Sequence, residues 1–198
     1  MSKRFKMKPN SGWAYDEMAL AAAMLSSVGA FGVVAVPWDV VLKSGTQQLM
    51  EQIEVVETAN AAFYDRYRLW PHQVTNGDWS HNAAVLIDQS AMKFPYNTMR
   101  GYERLLPESQ FKPAEGNAVS IQHNIGDGGR VLQRVARGQD GRTYLEVIFE
   151  NVPLTEARKV DQQVDGRYDP QGGRVTFEFT DTIVRTDKVS LKYRANAV

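Results

Sequence analysis

Residues 13–68 read WAYDEMALAAAMLSSVGAFGVVAVPWDVVLKSGTQQLMEQIEVVETANAAFYDRYR, and two hydrophobic patterns follow one another within them. The first, from Met18 to Val36, is 19 residues long and carries no charge. A helix needs roughly 20 apolar residues to cross a bilayer, so this part is long enough to span one. The second begins after Lys43 and predicts an amphipathic helix, because one mostly apolar stripe recurs at alternating steps of three and four: Leu49, Ile53, Val56, Asn60, Phe63 and Tyr67. The acidic residues of this part fall off the stripe and are predicted to face water: Glu51, Glu54, Glu57 and Asp65.

Together the two patterns predict one long helix from Trp13 to Arg68, roughly 84 Å long at 1.5 Å per residue. Pro37 is predicted to kink this helix, because proline removes one backbone hydrogen bond and crowds the preceding turn. Pro71 is predicted to stop it. The first half is apolar all round, whereas the second has one face suited to a protein core.

The N-terminal residues 1–12, MSKRFKMKPNSG, contain four basic residues and no acid. A basic segment before an apolar stretch is typical of membrane targeting, and the positive-inside rule places it in the cytoplasm. A cleavable secretory signal would have a shorter apolar core, and cutting at a small-x-small site inside this run would leave an apolar remnant. The pattern therefore predicts a single-span anchor with a domain outside the inner membrane.

Two carboxylates, Asp16 and Glu17, stand directly before the apolar run. A carboxylate at the centre of a membrane helix costs on the order of 2.5–3.5 kcal/mol, and less near the helix end. One interpretation is that both side chains are hydrated at the membrane surface, near a favourable helix N-terminus. The other is that one of them has a partner in an assembly.

The order of these features resembles the prepilins of type IV pili and the pseudopilins of type II secretion. It consists of a basic leader ending in Gly12, a hydrophobic Trp13, a glutamate five residues after the glycine (Glu17), and an apolar helix with an internal proline (Pro37). The resemblance implies that a prepilin peptidase cuts between Gly12 and Trp13 and methylates the new amine. It also implies partners: further copies in a helical filament and the inner-membrane pilus assembly machinery. Trp13 departs from the more usual Phe or Met, Pro37 lies three residues later than is common, and the chain has no cysteine for a disulfide-bounded loop.

The resemblance gives Glu17 a physical role. In a filament packed from apolar helices an uncompensated charge is costly. The amine of Trp13 in one copy and the carboxylate of Glu17 in a neighbour would neutralise each other. Only the correct axial offset would pair both charges, so the pair would set the register of assembly.

The remaining sequence predicts a globular head, so the chain divides into a leader (1–12), a membrane or filament-core helix half (13–42), an amphipathic half (43–71) and a head (72–198). Residues 72–116 are turn-rich, with room for a short helix. Five strands and one helix are predicted after them. The strands are predicted over 118–123, 131–136, 143–149, 174–180 and 184–193, and the helix over 154–164. The predicted fold class is α+β, a long N-terminal helix packed on an antiparallel sheet.

Composition and motifs exclude several functions. The 23 basic and 23 acidic residues cancel, which argues against a broad nucleic-acid surface, and zero cysteines exclude disulfides and thiolate chemistry. The chain has no nucleophile elbow and no His-Glu-x-x-His motif, so no enzyme activity, catalytic residue or cofactor is predicted. The remaining candidate sites are interpreted as structural, and no metal is predicted. The histidines His72, His81 and His123 are too scattered to bind a metal, and Asp161, Asp165 and Asp169 are interpreted as a helix end and turn rather than a calcium loop.

The glycine-rich residues 126–129 are interpreted as a hairpin loop. The aromatic residues Trp70, Trp79 and Tyr96 are predicted to pack near the end of the long helix.

Three functions remain open at this point. The first is a filament subunit, stored in the inner membrane and assembled into an extracellular pilus. The second is a pseudopilin of a type II secretion apparatus, which polymerises in the periplasm. The third is a signal-anchored periplasmic protein that never polymerises.

Overall fold

The computed structural model describes residues 44–114, 117–138, 140–179 and 187–197. They form an α+β head with a six-stranded antiparallel sheet, as the sequence predicts. The helices are α1 (Gly45–Tyr67), α2 (Pro71–Val74), α3 (Trp79–Ala84) and α4 (Leu154–Asp165), with 3-10 turns at Gln89–Ala91 and Tyr96–Thr98. The strands are β1 (Phe111–Ala114), β2 (Asn117–His123), β3 (Gly129–Arg137), β4 (Thr143–Pro153), β5 (Val175–Phe179) and β6 (Lys188–Ala197).

The strand order across the sheet is β1-β2-β3-β4-β6-β5, and every neighbouring pair is antiparallel. Strand β6, late in the chain, therefore inserts between β4 and β5. Strands β2 and β3 pair over only three residues, and α3 packs against both of them. Helix α3 therefore covers the sheet at these two strands.

The apolar stripe predicted for α1 packs into the core. Leu49, Ile53, Val56 and Phe63 are all buried, and α1 packs against α4 and β6. Fully burying a side chain of this size contributes about 1.5–3 kcal/mol relative to leaving it exposed. The hydrophobic effect therefore fixes which side of α1 faces the sheet.

The polar member of the stripe, Asn60, starts a buried chain of amides. Its Nδ2 donates to Val56 O at 2.9 Å, and its Oδ1 accepts from Gln133 Nε2 at 2.7 Å. The carbonyl of Gln133 in turn accepts from Asn82 Nδ2 at 2.9 Å, and Thr75 donates to Asn82. Because a buried amide without a partner costs about 1–3 kcal/mol, this chain holds α1, β3 and α3 in one relative position.

The end of α1 lies within one residue of the predicted Arg68, but the start of α1 and the residue that stops it differ from the prediction. Ser44 has an extended backbone (φ −57°, ψ 147°), and it exchanges two hydrogen bonds with Gln47, each of 3.3 Å, which form a capping box. The helix predicted to continue from Trp13 is therefore interrupted at Ser44, and its first half lies outside the described residues. At the other end, Arg68 stops α1 by adopting a left-handed conformation (φ 54°), and Pro71 is instead the first residue of α2.

The strands after residue 117 are confirmed, with shifted ends. Strand β4 continues four residues past its predicted end to Pro153, and β6 reaches Ala197 instead of Tyr193. Helix α4 is confirmed and ends at Gly166, whose φ of 73° suits glycine. Strand β1 was not predicted, because it lies in the turn-rich stretch 72–116, for which only a short helix was expected.

The two outer strands of the sheet are covered. In β1, the N–H of Phe111 donates to Pro107 O at 3.0 Å and its carbonyl accepts from Arg104 Nη2 at 2.8 Å, while Pro113 has no N–H. In β5, the outward N–H groups of Val175 and Phe177 donate to Asp165 Oδ2 at 2.9 Å and to Pro170 O at 3.0 Å. These edge amides are therefore satisfied within the head.

Candidate functional site

The residues predicted for processing and assembly, Gly12, Trp13, Glu17 and Pro37, lie outside the described residues. Within residues 44–114, 117–138, 140–179 and 187–197, no helix combines the length and hydropathy needed to cross a bilayer.

The three histidines occupy three separate environments. His123 is 3 % exposed; its Nε2 donates to Glu150 O at 2.7 Å, and its Nδ1 accepts from Ile125 N at 3.2 Å. Burial lowers its pKa, so the neutral ring is favoured. His81 lies beside Asp78, which caps α3, and His72 lies in α2. The interpretation of all three as structural agrees with these positions.

The aspartates of α4 and the following loop bind backbone amides. Asp161 Oδ2 accepts from the N–H of Asp169 at 2.8 Å, and the carboxylate of Asp165 accepts from the N–H groups of Arg174 and Val175, both at 2.9 Å. Burial raises the pKa of Asp161. Among the described residues no group of three acidic or histidine side chains is placed to hold a metal. Each carboxylate instead holds the loop that returns the chain to β5.

The glycine-rich segment 126–129 closes the turn between β2 and β3, as the sequence predicts. The N–H of Gly128 donates to Ile125 O at 2.9 Å. At Gly129 a Cβ atom would lie 1.9 Å from Glu150 O, so no side chain fits where β3 passes β4. The turn and the close approach of β3 to β4 therefore account for these glycines.

Two of the three singled-out aromatic residues pack as predicted, and the third does not. Trp70 stacks on Tyr64 with ring centroids 4.6 Å apart, and Tyr96 packs against the core. Trp79 is 44 % exposed and lies over Arg134, whose Cζ is 4.7 Å from the ring centroid. It borders an open cleft of about 510 Å³ beside β3. The packing prediction for Trp79 is therefore wrong.

Of the acids predicted to face water, Glu57 instead joins α1 to the sheet. It accepts from Tyr193 Oη at 2.9 Å and pairs with Arg174 at 3.4 Å. Burial and the hydrogen bond to Glu57 raise the pKa of Tyr193 to about 12. The Arg174 guanidinium also lies over the Tyr193 ring, 4.9 Å from its centroid. Glu57 is thus used inside the head, whereas Glu54 and Asp65 are exposed.

The exposed side of α1 near its N-terminus carries Gln47, Glu51, Glu54 and Thr58, spaced by three and four; we call these four residues the acidic face. Glu54 and Thr58 are exposed, and Glu54 makes no ion pair or hydrogen bond within the described part of the chain. No basic residue occurs in α1 before Arg66. On this side of α1, Glu54 is therefore an exposed carboxylate, whereas Glu51 is half-buried and makes a contact within the protein.

Residues 93–101 form a second exposed surface, which we call the distal loop. Phe94 is 79 % exposed, more than any other large hydrophobic residue of the described head. Lys93 and Arg100 are also exposed and have no ion-pair partner there, and residues 89–102 contain no acid. The distal loop therefore combines an exposed aromatic ring with two unneutralised positive charges.

Comparisons of the chain with protein-family models, with curated proteins and with solved structures found no match. Any functional conclusion therefore depends on the residues themselves and on the architecture of the head.

Proposed function

We propose that this chain is a prepilin: a membrane-stored precursor that is cut after Gly12 and polymerises through its N-terminal segment into a type IV pilus or a pilus-like filament. The observation that carries the proposal is the junction at residues 12–18. There an acid-free basic leader ends in glycine, and a glutamate stands five residues later, where the apolar run begins.

The architecture of the head supports the proposal. Helix α1 begins at Gly45, and its apolar stripe is buried against an antiparallel sheet. Because this stripe is used within the head, the apolar run of residues 18–36 is the part of the chain that we propose for contact with other copies. Hydrophobic contact along residues 18–36 would supply most of the association energy.

The first test is the mass of the N-terminus of the native protein. We expect a chain that begins at a methylated Trp13. A native protein that begins at Met1, or beyond residue 30, would reject the proposal in favour of a membrane anchor or a secreted protein.

The second test compares two variants that each remove one carboxylate charge, Glu17→Gln and Asp16→Asn. We expect both proteins to insert into the membrane. Filament yield should fall sharply, by tenfold or more, only for Glu17→Gln, because Glu17 is the proposed partner of the Trp13 amine. Equal yields of sheared filaments from the two variants would remove the role assigned to Glu17.

A further inference from the structure

The second half of β3 has an open edge inside the sheet. Strand β2 pairs with β3 only at residues 129–131, whereas β4 pairs with β3 as far as Arg137. On the β2 side, residues 132–137 therefore have no paired strand among the described residues. Helix α3 takes up one backbone group there, because its Asn82 donates to Gln133 O at 2.9 Å. Beyond that bond the strand continues without a partner on this side.

Two hydrogen bonds fix the direction of the backbone groups along this edge. The N–H of Gly138 donates to Arg142 O at 2.7 Å, so the even-numbered residues of this stretch bond to β4. The carbonyl of Gln133 points the other way, to α3. Because these directions alternate in an antiparallel ladder, the N–H and C=O groups of Val135 and Arg137 also point away from β4. No hydrogen bond to these four groups occurs within the described part of the chain.

The open edge faces the cleft of about 510 Å³ beside β3. Residues 134–136 of β3 line this cleft, together with His72 of α2, Trp79 of α3 and Gly77 between the two helices. Val135 is 40 % exposed here. Because short helices border the edge, a single extended chain can enter the cleft, whereas a second sheet cannot approach β3.

The side chains beside the edge are held in position on both faces of the sheet. Trp79 lies over Arg134, whose Nε and Nη2 are both 2.6 Å from Oε2 of the buried Glu146. The side chain of Val135 lies on the opposite face, because side chains alternate along a strand. Arg137 shares that face, is exposed and forms no ion pair in the described residues. An added strand would therefore meet an aromatic ring on one face and a valine followed by a cation on the other.

We propose that the open edge of β3 binds an extended peptide segment of another protein, which adds to the sheet as a strand beside Val135 and Arg137. The main chain of the segment supplies the missing hydrogen bonds. One of its apolar side chains lies opposite Val135, and an acidic side chain two residues away lies opposite Arg137. This binding site belongs to the head and does not depend on the proposed filament.

The backbone groups of the edge identify the occupant as a peptide. Val135 and Arg137 together present two donors and two acceptors that repeat at about 6.7 Å, twice the rise of a strand residue. An extended peptide repeats its own donors and acceptors at the same distance. The outer strands of a second copy do not fit, because the outward amides of Phe111 and Val175 are bonded within their own head.

Two proline variants test the direction of the edge. Val135→Pro removes an N–H that the head does not use, so this variant should stay folded. Ala136→Pro removes an N–H that bonds to β4, so its melting temperature should fall well below that of Val135→Pro. Equal melting temperatures of the two variants would show that the N–H of Val135 is not free, and would overturn the proposal.

Peptide binding is measured by fluorescence anisotropy with the full chain in neutral detergent micelles. The probe is the fluorescein-labelled peptide TVTETVT, which has the same sequence in both directions and therefore fits a parallel or an antiparallel addition. We expect saturable binding to the native chain, at least tenfold weaker binding to Val135→Pro, and at least tenfold weaker binding of the same peptide with every backbone nitrogen methylated.

A charge reversal checks the residue opposite Arg137. The native chain should prefer TVTETVT to TVTKTVT by threefold or more, and Arg137→Glu should reverse this preference. No saturable binding to the native chain, equal binding to a folded Val135→Pro chain, or an unchanged preference in Arg137→Glu would each overturn the proposal. None of these outcomes bears on the proposed function, which is tested separately by the mass of the N-terminus.

Discussion

His123 is held in one neutral tautomer by hydrogen bonds on both ring nitrogens. A second proton would have to go on Nδ1, which already accepts from the N–H of Ile125. Protonation would therefore place an Nδ1–H donor of His123 next to the N–H donor of Ile125, in the turn between β2 and β3. This residue makes the head sensitive to acid.

We expect the free energy of unfolding to fall as the pH drops below 6.5, the ordinary pKa of histidine. Because the pKa of His123 is lowered in the fold, the unfolded chain binds the proton first, so the contribution is fully present above that pH and is lost below it. One pH unit is worth up to 1.36 kcal/mol, so His123 accounts for at most about 2 kcal/mol between about pH 6.5 and pH 5.

Urea unfolding at both pH values, with His123→Gln as the matched variant, measures this contribution. Glutamine keeps one donor and one acceptor and does not titrate, so its loss of stability in acid should be smaller than that of the native head. Identical pH dependence in the two proteins would show that His123 is not the sensitive group.

Helix α1 shows how a few residues decide where an element begins. Ser44 and Gln47 satisfy each other's backbone N–H groups, so the helix has a complete start of its own. A helix that simply continued from the preceding segment would have no use for such a cap. The box therefore defines α1 as the first element of the head.

Ser44→Ala should lower the free energy of unfolding of the head by about 1 kcal/mol, because the first turn of α1 loses its side-chain acceptor. Ser44→Asp should stay close to the native value, since aspartate is an equally good cap and its charge suits a helix N-terminus. Thermal unfolding of the two variants beside the native chain makes the comparison. Equal stability of the alanine and aspartate variants would show that the cap does not stabilise the head.

At the scale of the whole molecule, the chain divides between Lys43 and Ser44 into two compact units. Lys43 is a trypsin site, and the residue after it has an extended backbone and is exposed. Proteases cut extended exposed chain far faster than helix. Brief trypsin treatment of the detergent-solubilised full chain should therefore release a fragment beginning at Ser44.

Mass spectrometry over time checks the order of cuts. Cleavage after Lys43 should come before cleavage after Arg66 in α1, and Lys43→Gln should abolish the early fragment alone. First cleavage within α1 would mean that the chain at residues 43–44 is better protected than the helix.

The α+β class could be predicted from the sequence because its signals are periodic. The stripe from Leu49 to Phe63 and the alternation over residues 118–123 depend only on which residues meet the core, and burial is the largest stabilising term. Strand β1 contains Pro113, which normally argues against a strand, and only its place at the edge makes it possible.

The surfaces were harder to predict because they depend on tertiary contacts. Glu57 lies three residues after Glu54, and both were predicted on the water-facing side of α1. The side chain of Glu57 is nevertheless bound by Arg174 and Tyr193, which lie more than a hundred residues later in the chain. Trp79 is exposed and Trp70 is packed, and this difference arises only from the positions that the short helices give them. The Ser-x-x-Gln spacing at Ser44 is a local signal for the start of α1. The apolar run before it instead suggested a helix that continues through this residue.

The covered strands at both margins of the sheet affect how copies of this protein can coexist. Aggregation of β-proteins commonly starts when one molecule's bare amide row serves as a template for its neighbour. At β1 this template is blocked by Pro113 and Arg104, and at β5 by the carboxylate of Asp165. We therefore expect any contact between heads to be made by side chains rather than by a sheet shared between two copies.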